Sequence, residues 1–288
     1  MEFVTLNSGY KMPLEGFGVF QIPDLAQCEE VTYNAIKVGY RLIDTAAAYM
    51  NEEAVGKAVA RAVSDGLTTR EELFITTKVW VQDMTDEKTA YKAVETSLKK
   101  LNLNYADLIL LHQPANDYFA AYRGIEKACD DGLTKSVGVA NFYPAILLNL
   151  CETVKKIPAV NQIELHPFFV QADALKNMQD YNVVAQAWGP LAEGRHGIFT
   201  DSELVAIGKK YNKTAAQVAL RWNTQRGVSI IPKSVHVERM EQNFDIWDFS
   251  LTDEEMAKIS AKDLGHSEIV NHDDPKFIKM LLGWKIHD

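Results

Sequence analysis

Cysteine is scarce in this 288-residue chain. Cys28, Cys129 and Cys151 are odd in number and widely spaced. That excludes a disulfide frame or a cysteine zinc site and points to thiols in a reducing, cytoplasmic compartment. Positive charge is also in deficit: 30 Lys and Arg stand against 39 Asp and Glu, a formal net charge of −9. No broad face can then neutralise phosphates, so nucleic acid and anionic membrane surfaces are excluded as partners. Long apolar runs are missing too. The longest, near Leu108–Leu111 and Ala145–Leu148, fall far short of the roughly 18 residues of a membrane span. Met1-Glu2-Phe3 lacks the basic-then-apolar order of a secretory signal. What is present is ordinary: 47% hydrophobic and 24% charged residues, which excludes disorder. At about 150 residues per domain the length suggests two domains, but α/β barrels of about 250 residues form one. With no linker, low-complexity tract or charge run, a single domain over residues 1–288 is expected.

From residue 16 onward, short apolar runs alternate with amphipathic stretches. The strand-like runs are Gly16–Phe20, Arg41–Thr45, Leu73–Lys78, Ala106–His112, Ser136–Ala140, Ala159–Glu164, Val183–Trp188 and Val228–Pro232. Helical spacing separates them: Ala54, Ala58 and Ala62 repeat every four residues, and Tyr91, Val94, Leu98 and Leu101 lie three and four apart. The strands are near-continuously apolar, as a sheet buried on both faces requires. Eight such strands with helices outside predict an α/β fold, a (β/α)₈ TIM barrel. Phe3–Asn7 and Lys11–Leu14, around Ser8-Gly9, predict an N-terminal β-hairpin capping one end. Thr252 with Glu255 is a capping-box signature opening a late helix. The tail from Gly265 reads as polar and irregular, with a short apolar stretch from Phe277 to Leu282.

In such barrels chemistry gathers where the strands end. The second strand ends in Asp44-Thr45, with Tyr49 five residues past the Asp; the third ends in Lys78 and the fourth in His112. Singly, each has a bland reading: a cap, a packed ring, a snorkelling amine or a structural imidazole. Together, at equivalent positions of consecutive strands, they converge on one rim. Lys78 follows an uncharged run from Leu73 to Thr77, where an ammonium is costly without Asp44 as partner. A lysine cation beside a phenol favours the phenolate and is expected to lower its pKa. With His112 orienting a carbonyl oxygen, Tyr49 is placed for the acid half of a carbonyl reduction.

The hydride half needs a nicotinamide or flavin, yet no G-x-G-x-x-G occurs. Another cradle is the turn after the last strand, where Lys233, Ser234 and Arg239 could clamp a phosphate ester. A nucleotide carrying an extra ribose phosphate would use them, favouring NADPH over NADH. Asn141 and Gln162 are amides able to pair with a carboxamide, and Trp188, beside Gly189, could stack on a planar ring. Phe20 and Trp80 could wall the substrate site or plug the barrel. His112, His166 and His196 offer no pair at ligand spacing, so no metal is expected.

Six ordered stretches carry a resemblance: Gly39-Tyr-Arg-Leu-Ile-Asp-Thr-Ala-Ala-Ala-Tyr49 with Asn51-Glu52; Thr77-Lys78; Leu111-His112; Val137-Gly-Val-Ala-Asn-Phe142; Asn161-Gln-Ile-Glu-Leu-His-Pro167; and Ile231-Pro-Lys-Ser234 with Arg239. Over nearly its full length the chain resembles the aldo-keto reductase superfamily. It is most similar to the microbial branch of diketogluconate and methylglyoxal reductases, which has parasite relatives described as prostaglandin F synthases. The resemblance implies a barrel binding NADP(H) extended, and a small carbonyl substrate. It implies a catalytic tetrad of Asp44, Tyr49, Lys78 and His112, with Tyr49 as proton donor. It also implies cofactor contacts from Asn141, Gln162, Trp188, Gly189, Leu191, Lys233, Ser234, Val235, Arg239, Gln242 and Asn243. Phe20, Trp80 and His112 would face the substrate, near the tail over residues 265–288, and the chain would act as a monomer or weak dimer. A nucleotide-sensing regulatory subunit with little turnover is the alternative. Two positions depart from the family pattern: Gln113-Pro114 where many members have Trp-Pro, and Ala140 where Ser is usual before Asn141.

Overall fold

The computed structural model describes residues 2–288. An antiparallel hairpin opens the chain, β1 (Phe3–Thr5) against β2 (Lys11–Pro13). Eight strands follow: β3 (Gly16–Gly18), β4 (Leu42–Asp44), β5 (Phe74–Val79), β6 (Ala106–Leu111), β7 (Thr134–Ala140), β8 (Val160–Glu164), β9 (Val184–Trp188) and β10 (Ser229–Ile230). They pair in chain order, all parallel. The ring closes between its first and last members. A parallel bridge joins Glu15 to Ile230, Ile230 N–H donates to Leu14 O (2.8 Å), and Gly18 N–H donates to Pro232 O (3.2 Å). β10 stops short of the predicted Val228–Pro232 because Pro232 has no N–H to continue a ladder.

Helices α1 (Leu25–Val38), α2 (Glu52–Ser64), α3 (Glu87–Leu101), α4 (Tyr118–Asp130), α5 (Pro144–Cys151) and α6 (Ala172–Asp180) are the successive crossovers. Two helices, α7 (Ser202–Tyr211) and α8 (Ala215–Gln225), fill the crossover from β9 to β10; α9 (Val237–Phe244), α10 (Asp253–Ser260) and α11 (Pro275–Gly283) follow. The starts are written in the sequence. Asp24, Asp86, Asp117 and Asp201 each accept a first-turn N–H, and Thr214–Gln217 and Thr252–Glu255 form reciprocal capping boxes. Gly56 and Gly124 let neighbouring helices approach so closely that a Cβ would strike backbone of α3. Among the described residues no helix is long and apolar enough to cross a membrane.

The tail is more regular than its composition suggests. Asp274 caps α11 and Pro275 occupies its first turn, a start signal within a stretch read as irregular. The apolar residues 277–282 therefore lie on a helix.

Alternation along the strands decides what faces the barrel axis. Leu42, Phe74, Leu108, Leu110 and Val160 pack together with Leu6 and Met12 of the hairpin, which plugs one end. The intervening Ile43, Ile75, Ile109 and Leu111 pack under the helices instead. Continuing the inward series by two residues gives Asp44 after Leu42, Lys78 after Phe74 and Thr76, and His112 after Leu108 and Leu110. The pattern that fills the core thus also aims three polar side chains at the open end.

Candidate active site

Lys78 is wholly buried, and each of its three N–H groups has an acceptor: Asp44 Oδ1 at 2.6 Å, Thr45 O at 3.0 Å and the Tyr49 hydroxyl at 3.1 Å. Burial works against the ammonium, but Asp44 and Tyr49 hold its pKa above the ordinary value. Asp44 is fixed from its other side. Its Oδ2 accepts from Gln162 Nε2 (2.8 Å), which also donates to Gln186 Oε1 (2.8 Å); Gln186 Nε2 in turn donates to Ser229 Oγ (3.2 Å). A line of buried amides across β8 and β9 therefore keeps the carboxylate aimed at Lys78.

Tyr49 ends a short 3₁₀ turn, Ala47–Tyr49, and is followed by Met50 in the left-handed region (φ 58°). Buried Asn51 pins that loop: its Oδ1 accepts from Thr45 Oγ1 (2.8 Å) and its Nδ2 donates to Val19 O (3.0 Å). Because the Tyr49 oxygen accepts from Lys78, its own proton is free to point into the cavity. The expected lowering of its pKa is not what the structure gives. Burial raises the phenol above its ordinary value, outweighing the opposing pull of the Lys78 charge. Tyr49 therefore rests as a protonated hydroxyl beside the Lys78 ammonium.

The His112 ring stands edge-on to both Tyr49 (centroids 5.5 Å) and Trp80 (5.1 Å). Burial, then the charges of Lys78 and His272, push its pKa well below the ordinary value, so it is a neutral imidazole. Its Nδ1 is buried without a partner. An orphaned acceptor costs less than an orphaned N–H, which puts the proton on Nε2.

These groups open into a cavity of about 650 Å³. Phe20, Asp44, Tyr49, Trp80, His112, Asn141, Gln162, Trp188, Gly189, Leu191 and Lys233 all line it, and Lys78 lies beneath. Phe20 is half exposed, with its ring 4.9 Å from that of Tyr49. Asn141, at φ 65°, donates to His112 O (3.1 Å) and accepts from Trp188 Nε1 (2.8 Å), which locks the indole in place. Ser234, Val235, Arg239, Gln242 and Asn243 lie outside the lining, on the turn after β10 and along α9. Lys233, Arg239 and Gln242 are exposed, whereas Ser234 and Asn243 are buried. Among the described residues neither Lys233 nor Arg239 has a carboxylate within ion-pair distance; Ser234 Oγ accepts from His236 N–H (3.1 Å). The other histidines weighed as ligands are dispersed, His166 against Glu164 (3.0 Å) and His196 against Glu268 (3.2 Å). Among the described residues no three His, Cys, Asp or Glu converge.

Sequence reading named segments of the wall but not all of its residues. The tail contributes Ile269, Val270, His272, Phe277, Leu281 and Trp284. It is fastened across the mouth: Ser267 Oγ donates to Glu164 Oε2 (2.5 Å), Trp80 Nε1 to Trp284 O (2.8 Å), and His287 meets Asp83 (2.9 Å). The Asp274-Pro275 helix start is the one signal that could have found part of it.

The chain matches the model of the Aldo/keto reductase family over residues 17–264. Methylglyoxal reductase DkgA of Escherichia coli (strain K12) is 42% identical over 268 residues, covering 91% of this chain and 94% of that protein. The 9,11-endoperoxide prostaglandin H2 reductase of Trypanosoma cruzi (strain CL Brener) is 41% identical over 258 residues, 89% of each chain. Among solved structures, a Bombyx mori aldo-keto reductase in complex with NADP superposes with a TM-score of 0.89 at 34% identity, covering 96% of both chains. The aldose reductase of Schistosoma japonicum gives 0.89 at 31%, covering 93% of this chain and 94% of the other.

Proposed function

Since this chain belongs to the aldo/keto reductase family, we propose that it reduces aldehydes and ketones to alcohols with NADPH, Tyr49 supplying the proton. The observation that carries the reading is the buried relay from Asp44 to Lys78 to Tyr49, ending on a hydroxyl of a residue that lines the cavity.

The residues present fit the cofactor. Both N–H groups of the Gln162 amide are spent inside the barrel, so its Oε1 is left to receive a carboxamide N–H. The Trp188 indole, tethered through Nε1, offers its face to a planar ring. Exposed Lys233, which lines the cavity, and exposed Arg239, outside that lining, flank the start of α9, whose cap residue His236 makes no side-chain capping bond. Unpaired cations beside free helix N–H groups suit a phosphate ester.

Bound there, NADPH supplies the hydride that converts a carbonyl carbon into an alkoxide carbon. The chain's own groups do the rest. His112 Nε2–H donates to the carbonyl oxygen and orients it, and its neutrality leaves the phenol as the acid. As negative charge gathers on that oxygen, Tyr49 releases its proton to it. The phenolate left behind sits against the Lys78 ammonium in a dry site, where such a contact is worth more than in water. Asp44 keeps Lys78 charged and aimed throughout. Trp80, Phe20 and the tail keep water from the reacting atoms. The curated relatives named for methylglyoxal and a prostaglandin endoperoxide support a carbonyl or peroxide-bearing small molecule as the substrate class. The test is NADPH oxidation against a panel of oxo-aldehydes, keto sugars and quinones, ranked by kcat/KM. Consumption of NADPH with several members supports the reading, and consumption with none of them overturns it.

A further inference from the structure

The barrel interior is apolar toward its floor, where Leu42, Phe74, Leu108, Leu110 and Val160 pack. Nearer the cavity its character changes. Gln162 of β8, Gln186 of β9 and Ser229 of β10 stand opposite one another in register, and Asp44 of β4 meets the row from across the barrel. All four are buried, and Gln186 and Ser229 do not line the cavity. Such a row is costly inside hydrocarbon unless every contact sets a donor against an acceptor.

Only one polarity achieves that. Pro13 O, at the closed end, can only accept, so the Ser229 hydroxyl gives it its single proton (3.3 Å) and its oxygen accepts from Gln186 Nε2 (3.2 Å). Gln186 then turns its Oε1 to Gln162, which donates one N–H there and the other to Asp44 Oδ2 (2.8 Å each). Among the described residues, Gln162 Oε1 is the one oxygen of the three side chains that accepts nothing. It is not among the sealed, partnerless atoms of the interior, and Gln162 lines the cavity. Asn141, joined to Gln162 by a backbone bond (2.9 Å), accepts from Trp188 and donates to His112 O, which leaves it one N–H.

We propose that Gln186 and Ser229 are positioning residues for the cofactor, locking the Gln162 amide with its oxygen toward the cavity so that the site selects a nicotinamide whose carboxamide carries N–H. This role rests on the NADPH reading above. Asp44 by itself holds the Gln162 amide at a single point. With an apolar side chain at position 186, one Gln162 N–H loses its acceptor in a dry interior. The amide can then turn about its bond to Asp44 and bring that N–H to the cavity, where it meets a carboxamide N–H as donor against donor. The intact row forbids the turn, because Gln186 Oε1 would lose its donor at the same time. The row reaches from the hairpin at one end of the barrel to the cavity at the other, so the floor of the barrel sets the polarity of a contact it never touches.

NADPH and its reduced 3-acetylpyridine analogue differ at one group. A methyl replaces the carboxamide NH₂, so the analogue keeps an oxygen for Asn141 and offers Gln162 no N–H. Their dissociation constants, measured by quenching of tryptophan fluorescence with no carbonyl substrate present, read the Gln162 oxygen apart from turnover. The unaltered chain is expected to bind NADPH about 10-fold more tightly than the analogue, the worth of one hydrogen bond. Gln186→Met keeps the volume and deletes the acceptor, and should bring the ratio to within about 2-fold. Gln186→Glu keeps an acceptor toward Gln162 in either protonation state and should retain the ratio. Ser229→Ala frees the Gln186 amide and should lower the ratio as well, which carries the test if Gln186→Met does not fold. A row with only a structural role weakens both nucleotides equally and leaves the ratio unmoved. A ratio near one in the unaltered chain, a ratio unchanged in the folded Met and Ala variants, or its loss in Gln186→Glu overturns the positioning role and leaves the reductase reading standing. Absence of NADPH binding by the unaltered chain overturns the reductase reading itself.

Discussion

The Lys78 ammonium donates to the Tyr49 hydroxyl across 3.1 Å, which makes that oxygen an acceptor there and leaves its own proton for another partner. A phenol placed this way has one proton to give and one direction to give it. Tyr49→Phe removes the proton and keeps the ring, including its contact with Phe20. Turnover should fall about 10²–10⁴-fold, the range for a positioned general acid, while NADPH affinity is retained. Steady-state kinetics beside a fluorescence titration with NADPH checks both. Undiminished turnover removes Tyr49 from the mechanism.

Asp44 and Lys78 form a buried pair at 2.6 Å, so their contributions to folding and to chemistry can be separated. Lys78→Met leaves the Asp44 carboxylate buried and uncompensated, and a loss of about 3–5 kcal/mol in stability is expected. The double variant Asp44→Asn with Lys78→Met removes both charges and should recover most of that stability. It should not recover turnover, since nothing then stabilises the phenolate. Urea unfolding and kcat on the two variants provide the measurement. If the double variant regains activity as well as stability, the ammonium has only a structural role.

The relay was legible because it obeys the core's own period. Asp44, Lys78 and His112 continue apolar strand runs in a series of alternate inward positions, so the reasoning that finds the barrel also finds them. The fold was legible for the same reason: eight apolar runs of strand length with helical spacing between them admit few other architectures. His272 was not legible. It meets its neighbours across long sequence separations, Tyr143 foremost, and its own segment has no periodicity to reveal which side faces inward. The state of Tyr49 was also hidden. A sequence shows which charge lies nearby but not how completely the group is dehydrated, and here burial is the larger effect.

Arg239 is exposed at the start of α9 and, among the described residues, has no carboxylate partner. A cation free of internal partners has little role in folding and is available to the phosphate proposed above. Arg239→Ala is therefore expected to leave unfolding midpoints unchanged and to weaken NADPH about 10–100-fold, the worth of a charge-assisted contact. NADH, without the extra ribose phosphate, should lose little. The two dissociation constants are compared directly. An equal loss for both nucleotides removes the clamp assignment.

Glu15, at the closed end of the barrel beside β10, is wholly buried; its Oε2 accepts from Trp247 Nε1 (2.8 Å) and its Oε1 has no partner. Burial pushes its carboxyl from 4.5 up to about 8. Between those two values the folded chain keeps a proton that the unfolded chain has released. The folded state then binds more protons, so rising pH costs stability, at up to about 1.4 kcal/mol per pH unit. The contribution of Glu15 is thus fully present below the unfolded value and lost as pH rises through about 8. Glu15→Gln keeps an acceptor for Trp247 but cannot ionise. Its stability relative to the unaltered chain should increase steadily between pH 5 and pH 8, and urea unfolding at several pH values across that interval measures it. A difference that stays constant with pH would mean that Glu15 is ionised in the folded chain, and the dry, closed floor assigned to this end of the barrel would have to admit water.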